Sequence, residues 1–73
     1  MTKVIRLDNR GLKPPQPMIR TLEQLELMNS GETLIIHNDR RPMFLYPELD
    51  ELGYSYETEA HPDGGFLITI RKP

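Results

Sequence analysis

The chain has no cysteine among its 73 residues. It can therefore form no disulfide framework and no thiolate metal site, and it offers no thiol nucleophile. Thiol chemistry is excluded as its function. A protein without cysteine suits a reducing compartment, so we expect a cytoplasmic location.

Long apolar runs are missing as well. No segment approaches the roughly 20 apolar residues of a transmembrane helix. The N-terminus also lacks the charged-then-apolar order of a signal peptide. We therefore expect a protein that neither enters a membrane nor is exported.

An excess of positive charge is the third absence. Nine Lys and Arg stand against eleven Asp and Glu, which gives a formal net charge of −2. Proteins that bind nucleic acid through phosphate contacts carry a positive surface instead. Nucleic-acid binding is therefore not expected.

The residues that are present have the composition of one small globular domain. Hydrophobic residues make up 37% and charged residues 27%, which is enough for a packed core. A second domain does not fit in this length, so we expect a single domain over residues 1–73.

Hydrophobic periodicity predicts a strand followed by a helix in the first half of the chain. Residues 2–7 alternate as a strand does, and a helix is predicted over residues 17–29. Pro17 suits the first turn of that helix, and Gly31 provides its stop. Apolar residues recur at helical spacing at Met18, Ile19, Leu22, Leu25 and Met28.

The second half begins with a β-branched run over residues 32–38, which predicts a central strand. Asp39 is expected to cap the next helix and Pro42 to lie in its first turn. Pro47 is expected to kink this helix, or to divide it into an opening turn and a short helix before Gly53.

Two further strands are predicted over residues 54–61 and 66–72, joined by the turn sequence Pro-Asp-Gly-Gly. The element order β-α-β-α-β-β predicts an α/β two-layer sandwich with both helices on one face of the sheet. The predicted core consists of Ile5, Leu7, Met18, Ile19, Leu22, Leu25, Leu34, Ile36, Leu45, Leu49, Leu52, Phe66, Ile68 and Ile70.

Residues 10–17, with the sequence R-G-L-K-P-P-Q-P, carry a family resemblance. Together with the G-E-T-L that opens strand two, they resemble the TusA-like, or SirA-like, family of small bacterial sulfur-carrier proteins. That family's motif is R-G-L-x-C-P-x-P, and Pro14 stands at the position of its cysteine. The resemblance thus implies the fold without the sulfur-carrier activity.

A cysteine-less branch with R-G-L-x-P-P-x-P and a later L-Y-P-x-L-x-x-x-G resembles the chain more closely, the second motif falling at residues 45–53. This branch is a bacterial family of unknown function, sometimes fused to hemerythrin-like domains. The resemblance implies a four-stranded mixed sheet of order 1-2-4-3 with strand four antiparallel. It implies no cofactor.

In that topology the carboxyl ends of the first three strands share one edge of the sheet with the N-termini of both helices, where open α/β sheets place ligands. Asn38 is expected at this edge. The predicted binding residues are Arg10, Lys13, Pro14, Pro15, Pro17, Met18, Arg40, Arg41 and Met43.

Three alternatives accompany this site. The arginines can be a solvated turn, with Arg10 paired to Asp8 or Asp39. His37, Asp39 and His61 are candidates for a metal site, although their spacing matches no ligand motif. The sheet face away from the helices can hold a partner or a second copy, through apolar residues expected at Val4, Ile35 and Leu67.

We therefore predict a non-enzymatic TusA-like binding or regulatory module in bacterial sulfur, metal or redox physiology, with a protein partner. The alternative function is a small-anion or metal-binding domain that uses the edge at the helix N-termini. The residues expected to serve that alternative are Arg10, Lys13, His37, Arg40, Arg41 and His61.

Overall fold

A computed structural model describes residues 3–73. Thr2, the first residue predicted for strand one, lies outside the described residues. The elements are β1 (Val4–Asp8), α1 (Gln16–Leu27), β2 (Thr33–Asn38), α2 (Leu45–Leu52), β3 (Ser55–Ala60) and β4 (Phe66–Arg71). Their order confirms the predicted β-α-β-α-β-β.

The four strands form one mixed sheet in the order β1-β2-β4-β3. β1 is parallel to β2, and β4 runs antiparallel to both of its neighbours. Leu7 of β1 lies opposite Ile36 of β2, which in turn lies opposite Ile68 of β4. The predicted sheet order and the two-layer α/β sandwich are confirmed.

The core lies between the sheet and both helices, and its largest contribution comes from the two central strands. It is formed by eight buried residues, Leu25, Met28, Leu34, Ile36, Leu45, Leu49, Ile68 and Ile70. Ile5, Leu7, Met18, Leu22 and Phe66 are half-buried and pack against this cluster, as predicted. Both helices therefore cover the same face of the sheet.

Two predicted core residues are exposed. Ile19 is 39% exposed because, at 3.6 residues per turn, it lies roughly 160° around the helix from the buried Thr21. Leu52 shares a stripe with Leu45 and Leu49 but is the last helical residue, and it is 51% exposed. Burial thus follows position along the helix as well as periodicity.

α1 ends at Leu27, two residues before the predicted Asn29. Met28 already has an extended backbone, with φ −85° and ψ 155°. Lys72 Nζ donates hydrogen bonds to the carbonyl oxygens of Leu25 and Met28, at 2.7 and 2.8 Å. A lysine from the far end of the chain, rather than Gly31, therefore satisfies the end of this helix.

The prediction that Asp39 caps the second helix is wrong. Asp39 Oδ2 instead accepts a 2.7 Å hydrogen bond from the Gly11 N–H. α2 begins at Leu45, after a turn in which the Pro42 carbonyl accepts the Leu45 N–H. An opening turn and a short helix are present, as predicted, but the turn contains Pro42, which was expected in the first turn of the helix. Pro47 does not divide the two, because it lies in the first turn of α2, where a missing N–H costs little.

Two glycines allow chain turns that position the edge of the sheet. Gly11 follows β1 with φ +79°, a conformation that other residues rarely adopt. Gly65, in the turn between β3 and β4, has φ +75°, and a Cβ atom there would lie 2.5 Å from the Asn38 carbonyl oxygen. The second turn therefore packs directly against the end of β2.

Within residues 3–73, neither helix combines the length and apolar character needed to cross a membrane.

Candidate functional site

A groove of about 750 Å³ lies between the proline bend that leads into α1 and the turn that leads into α2. Its position is the predicted edge of the sheet, where both helices begin. Eight of the nine predicted binding residues line it, namely Lys13, Pro14, Pro15, Pro17, Met18, Arg40, Arg41 and Met43. The structure therefore brings the predicted set together, with one exception.

The exception is Arg10, which pairs with its own strand end. Its Nε and Nη2 atoms lie 2.9 and 2.8 Å from the two carboxylate oxygens of Asp8. This ion pair holds the pKa of Asp8 well below its usual range and raises the pKa of Arg10. The alternative in which Arg10 pairs locally is confirmed, and Arg10 is not part of the groove.

Replacing Arg10 by glutamine is expected to raise the pKa of Asp8 toward the ordinary aspartate value, because the side-chain hydrogen bonds and the positive charge are lost. An NMR titration of the Asp8 carboxyl carbon measures this change. In the wild type the folded pKa lies below the unfolded one. The stabilisation by Asp8 is therefore present above the unfolded pKa of about 3.9 and is lost as the pH falls.

Lys13→Gln is the matched control for this titration, since it removes a positive charge that makes no ion pair with Asp8. We expect the Asp8 titration in this variant to match the wild type. An unchanged titration in the Arg10→Gln protein would mean that the contacts left in place, chiefly the Arg10 backbone N–H 3.0 Å from Asp8 Oδ1, hold the pKa of Asp8 down.

The outer lip of the groove is apolar and exposed. Met43 is 63% exposed and Phe44 is 86% exposed, although both are large hydrophobic residues. Phe44 was not among the predicted site residues. The sequence does contain a signal for it, because Met43 and Phe44 form an apolar pair between a proline and the start of a helix, where solvated polar residues are usual.

The positive charges around the groove differ in their surroundings. The Arg41 guanidinium lies 4.8 Å from the centre of the Phe66 ring, in a cation–π contact that ties the turn to β4. Lys13 and Arg40 are exposed and form no ion pair within residues 3–73. These two side chains are therefore available to a molecule bound at the rim.

The floor of the groove contains a buried polar cluster. Asn9, Thr21 and Asn38 are 1%, 0% and 5% exposed, and Asn9 and Asn38 line the groove. Asn9 Nδ2 donates to Asn38 Oδ1 at 3.0 Å and to Thr21 Oγ1 at 3.2 Å, and Thr21 Oγ1 donates to the Pro17 carbonyl at 2.8 Å. The cluster thus joins the ends of β1 and β2 to the first turn of α1.

Asn9 and Thr21 were missed by sequence reasoning. Asn38 was expected at this edge, and the structure confirms its position. The burial of a threonine on an apolar stripe depends on a partner from another element. Asn9 lies 12 residues from Thr21 and 29 residues from Asn38 along the chain, so no local sequence pattern indicates the cluster.

The helix N-termini at this edge offer few free N–H donors. In α1, Pro17 has no N–H, and the N–H groups of Gln16 and Ile19 are bonded to carbonyls of the preceding bend. In α2, Pro47 again has none, and the Leu45 N–H is bonded to Pro42. Anion sites at helix starts depend on such donors, so this edge is poorly built for a small anion.

Of the three candidate metal ligands, only the two histidines are brought together. The rings of His37 and His61 lie 4.5 Å apart, centre to centre. His37 Nε2 donates to the Gly64 carbonyl, while His61 Nδ1 accepts the Asp63 N–H. Asp39 is bonded to Gly11 instead. Across residues 3–73, no group of three or more His, Cys, Asp or Glu is placed to hold a metal ion.

Comparison with known proteins agrees with this geometry. A family described as "Uncharacterized conserved protein (DUF2249)" matches residues 6–72. The crystal structure of a SirA-like protein from Desulfitobacterium hafniense has 27% sequence identity and a TM-score of 0.77, over 90% of this chain and 93% of that one. No curated protein matches the chain.

Proposed function

We propose that this chain is a binding module without catalytic chemistry. The premise is its family: the chain belongs to the DUF2249 family of SirA-like and TusA-like domains. Its ligand would be a short segment of a protein partner, held in the groove between the two helix starts. We place this module in bacterial sulfur, metal or redox physiology, the setting predicted from the resemblance of residues 10–17 to the sulfur-carrier motif.

The combination of an apolar groove with unpaired charges at its rim carries this proposal. Proline occupies the position where the related sulfur-carrier motif has its cysteine, so the groove contains no nucleophile there. Its walls are formed largely by proline, methionine and leucine, and its lip by the exposed Phe44. Such a surface suits apolar side chains better than a polar metabolite.

The charges at the rim define the chemistry of the partner segment. Lys13 and Arg40 make no ion pair within the described chain and would attract Asp or Glu on either side of an apolar anchor. Each exposed pair contributes about 0.2–1 kcal/mol. Burial of Phe44 contributes about 1.5–3 kcal/mol. The apolar contact would therefore set the affinity, and the charges would select acidic segments.

A small anion is the competing ligand for the same edge. The prolines at the starts of both helices remove N–H donors, and the Gln16 and Leu45 N–H groups are already bonded. A phosphate would therefore depend on two flexible side chains that water also solvates. This difference makes the peptide segment the better-supported ligand.

Selection of random peptides on the immobilised chain is expected to enrich an aliphatic or aromatic anchor flanked by Asp or Glu. Phe44→Ser should weaken binding of the selected peptides by about 10–100-fold, because the peptide's anchor residue loses its apolar partner. Lys13→Glu should weaken peptide binding less, by about two- to fivefold. Fluorescence anisotropy with labelled peptides measures both effects.

Leu27→Ser is the matched control for the lip, because Leu27 is 80% exposed but does not line the groove. It should leave peptide affinity unchanged. Enriched peptides that bind Phe44→Ser as tightly as wild type would place recognition elsewhere and refute the proposal. Phosphate that shifts the amide signals of Arg40, Arg41 and Met43, with no peptide enriched, would favour the anion.

A further inference from the structure

The face of the sheet away from the helices carries an ordered pattern of charge. The strand pairing places Arg6 beside Ile35, Ile35 beside Thr69, and Thr69 beside Glu57. This middle row therefore has a positive charge at the β1 edge, an apolar residue near its centre and a negative charge at the β3 edge. Val4, 50% exposed, adds apolar surface in the next row.

We propose that this open face is a homodimer interface, with a two-fold axis parallel to the strands. A rotation about such an axis stacks β1 of each copy on β3 of the other. Arg6 then faces Glu57 of the partner subunit, and the same contact is repeated by symmetry. Ile35 packs near the axis, at the usual sheet-to-sheet distance of about 10 Å.

The charges select this axis over the other face-to-face arrangement. A two-fold axis across the strands would stack β1 on β1 and β3 on β3. Arg6 would then meet Arg6 of the partner subunit, and Glu57 would meet Glu57 of the partner subunit. Like charges in direct opposition are destabilising, whereas the parallel axis pairs opposite charges twice.

The row at the carboxyl end of β1 tolerates the same arrangement. Asp8 would face Glu59 of the partner subunit, but both carboxylate oxygens of Asp8 already accept hydrogen bonds from Arg10. That ion pair compensates the Asp8 charge. Glu57 is held only loosely within its own chain, because Arg71 Nη1 lies 3.7 Å away in an exposed pair. Glu57 can therefore also accept Arg6 of the partner subunit.

The size of the face predicts a weak dimer. Four strands about 4.8 Å apart and six residues at about 3.3 Å each span roughly 380 Å². Stable complexes bury about 800 Å² per partner, so dimerisation should depend strongly on concentration and on salt. Because the axis runs along the strands, both grooves lie at the same end of the dimer and can bind two segments of one partner.

The test is sedimentation equilibrium of the wild-type chain and of charge-reversed variants. We expect a monomer–dimer equilibrium that Arg6→Glu and Glu57→Arg each weaken about tenfold, because each converts two attractive contacts into repulsive ones. The double variant, with both charges exchanged, should recover most of the association. Added salt should weaken the wild-type dimer.

Glu59→Arg is the matched control, since it reverses the same charge on the same strand and face but would relieve a like-charge contact with Asp8 of the partner subunit. It should leave dimerisation unchanged or strengthen it. A wild-type chain that stays monomeric at the highest soluble concentration would overturn the inference. So would single variants that dimerise like wild type, or a double variant that does not recover. None of these residues lines the groove, so the peptide results stand independently.

Discussion

Replacing Ile36 by alanine is expected to lower the free energy of unfolding by about 2–5 kcal/mol. Ile36 is fully buried in β2, with Leu7 of β1 on one side and Ile68 of β4 on the other. The close-packed neighbours cannot fully collapse into the cavity that the substitution leaves. A domain of this length has only about 4–11 kcal/mol of stability in total, so a large share would be lost.

Ile35→Ala is the matched control, because it makes the same chemical change in the neighbouring residue on the other face of the sheet. Ile35 is only half-buried, and we expect a loss of about 1 kcal/mol or less. Urea unfolding followed by circular dichroism measures both values, at low protein concentration so that self-association does not contribute. Equal losses would contradict the assignment of the two faces of β2.

The second large effect is expected for Asn9→Asp, which changes the shape of the buried cluster very little but removes its central donor. Asn9 Nδ2 donates to Asn38 Oδ1 and Thr21 Oγ1. A carboxylate oxygen in its place would face the Asn38 oxygen with no proton between them. An uncompensated buried charge costs about 3–5 kcal/mol, so the variant should be close to unfolding at neutral pH.

The stability lost in Asn9→Asp should depend on pH, and the direction of that dependence tests whether the buried charge causes the loss. Burial among acceptors would raise the pKa of the new carboxyl group above its unfolded value of about 3.9. The destabilisation would therefore grow as the pH rises above that value and shrink as the pH falls toward it, where the protonated group can donate to Asn38. Thermal unfolding between acidic and neutral pH measures this trend relative to wild type.

Asn38→Asp provides the comparison within the same cluster. Asn38 contributes the accepting oxygen, so an aspartate there keeps the hydrogen bond from Asn9. We expect a clearly smaller loss than for Asn9→Asp. The opposite order would show that Asn38 supplies the donor and Asn9 the acceptor.

Much of the fold could be predicted because its signals are local. The β-branched run of β2 and the turn before β4 depend on near neighbours, and the structure confirms both. The prediction that Asp39 caps α2 was wrong because its carboxylate accepts a hydrogen bond from a long-range partner, the Gly11 N–H. The position of Ile19 on α1 failed because the helix is rotated to bury Thr21, which bonds to Asn9.

The location of the candidate site could be predicted from the sequence, but the side chains that are available there could be predicted less well. The family motif and the strand order located the edge where the two helices begin, and eight predicted residues meet there. Which side chains remain available depended on contacts that sequence does not show. Arg10 forms an ion pair with Asp8, and Arg41 forms a cation–π contact with Phe66. Phe44 remains exposed.

The bond from Lys72 to the end of α1 also bears on when the chain can fold during its own synthesis. Lys72 follows Leu25 by 47 positions, and β4, which pairs with β2 in the middle of the sheet, lies just before it. At about 5–20 residues per second, the ribosome adds that stretch in roughly 2–10 seconds. Throughout that interval the end of α1 lacks its lysine donor, and β2 lacks the strand that pairs with it in the middle of the sheet. The native contacts of α1 and β2 can therefore be completed only after residues 66–72 have been synthesised and are free to pair.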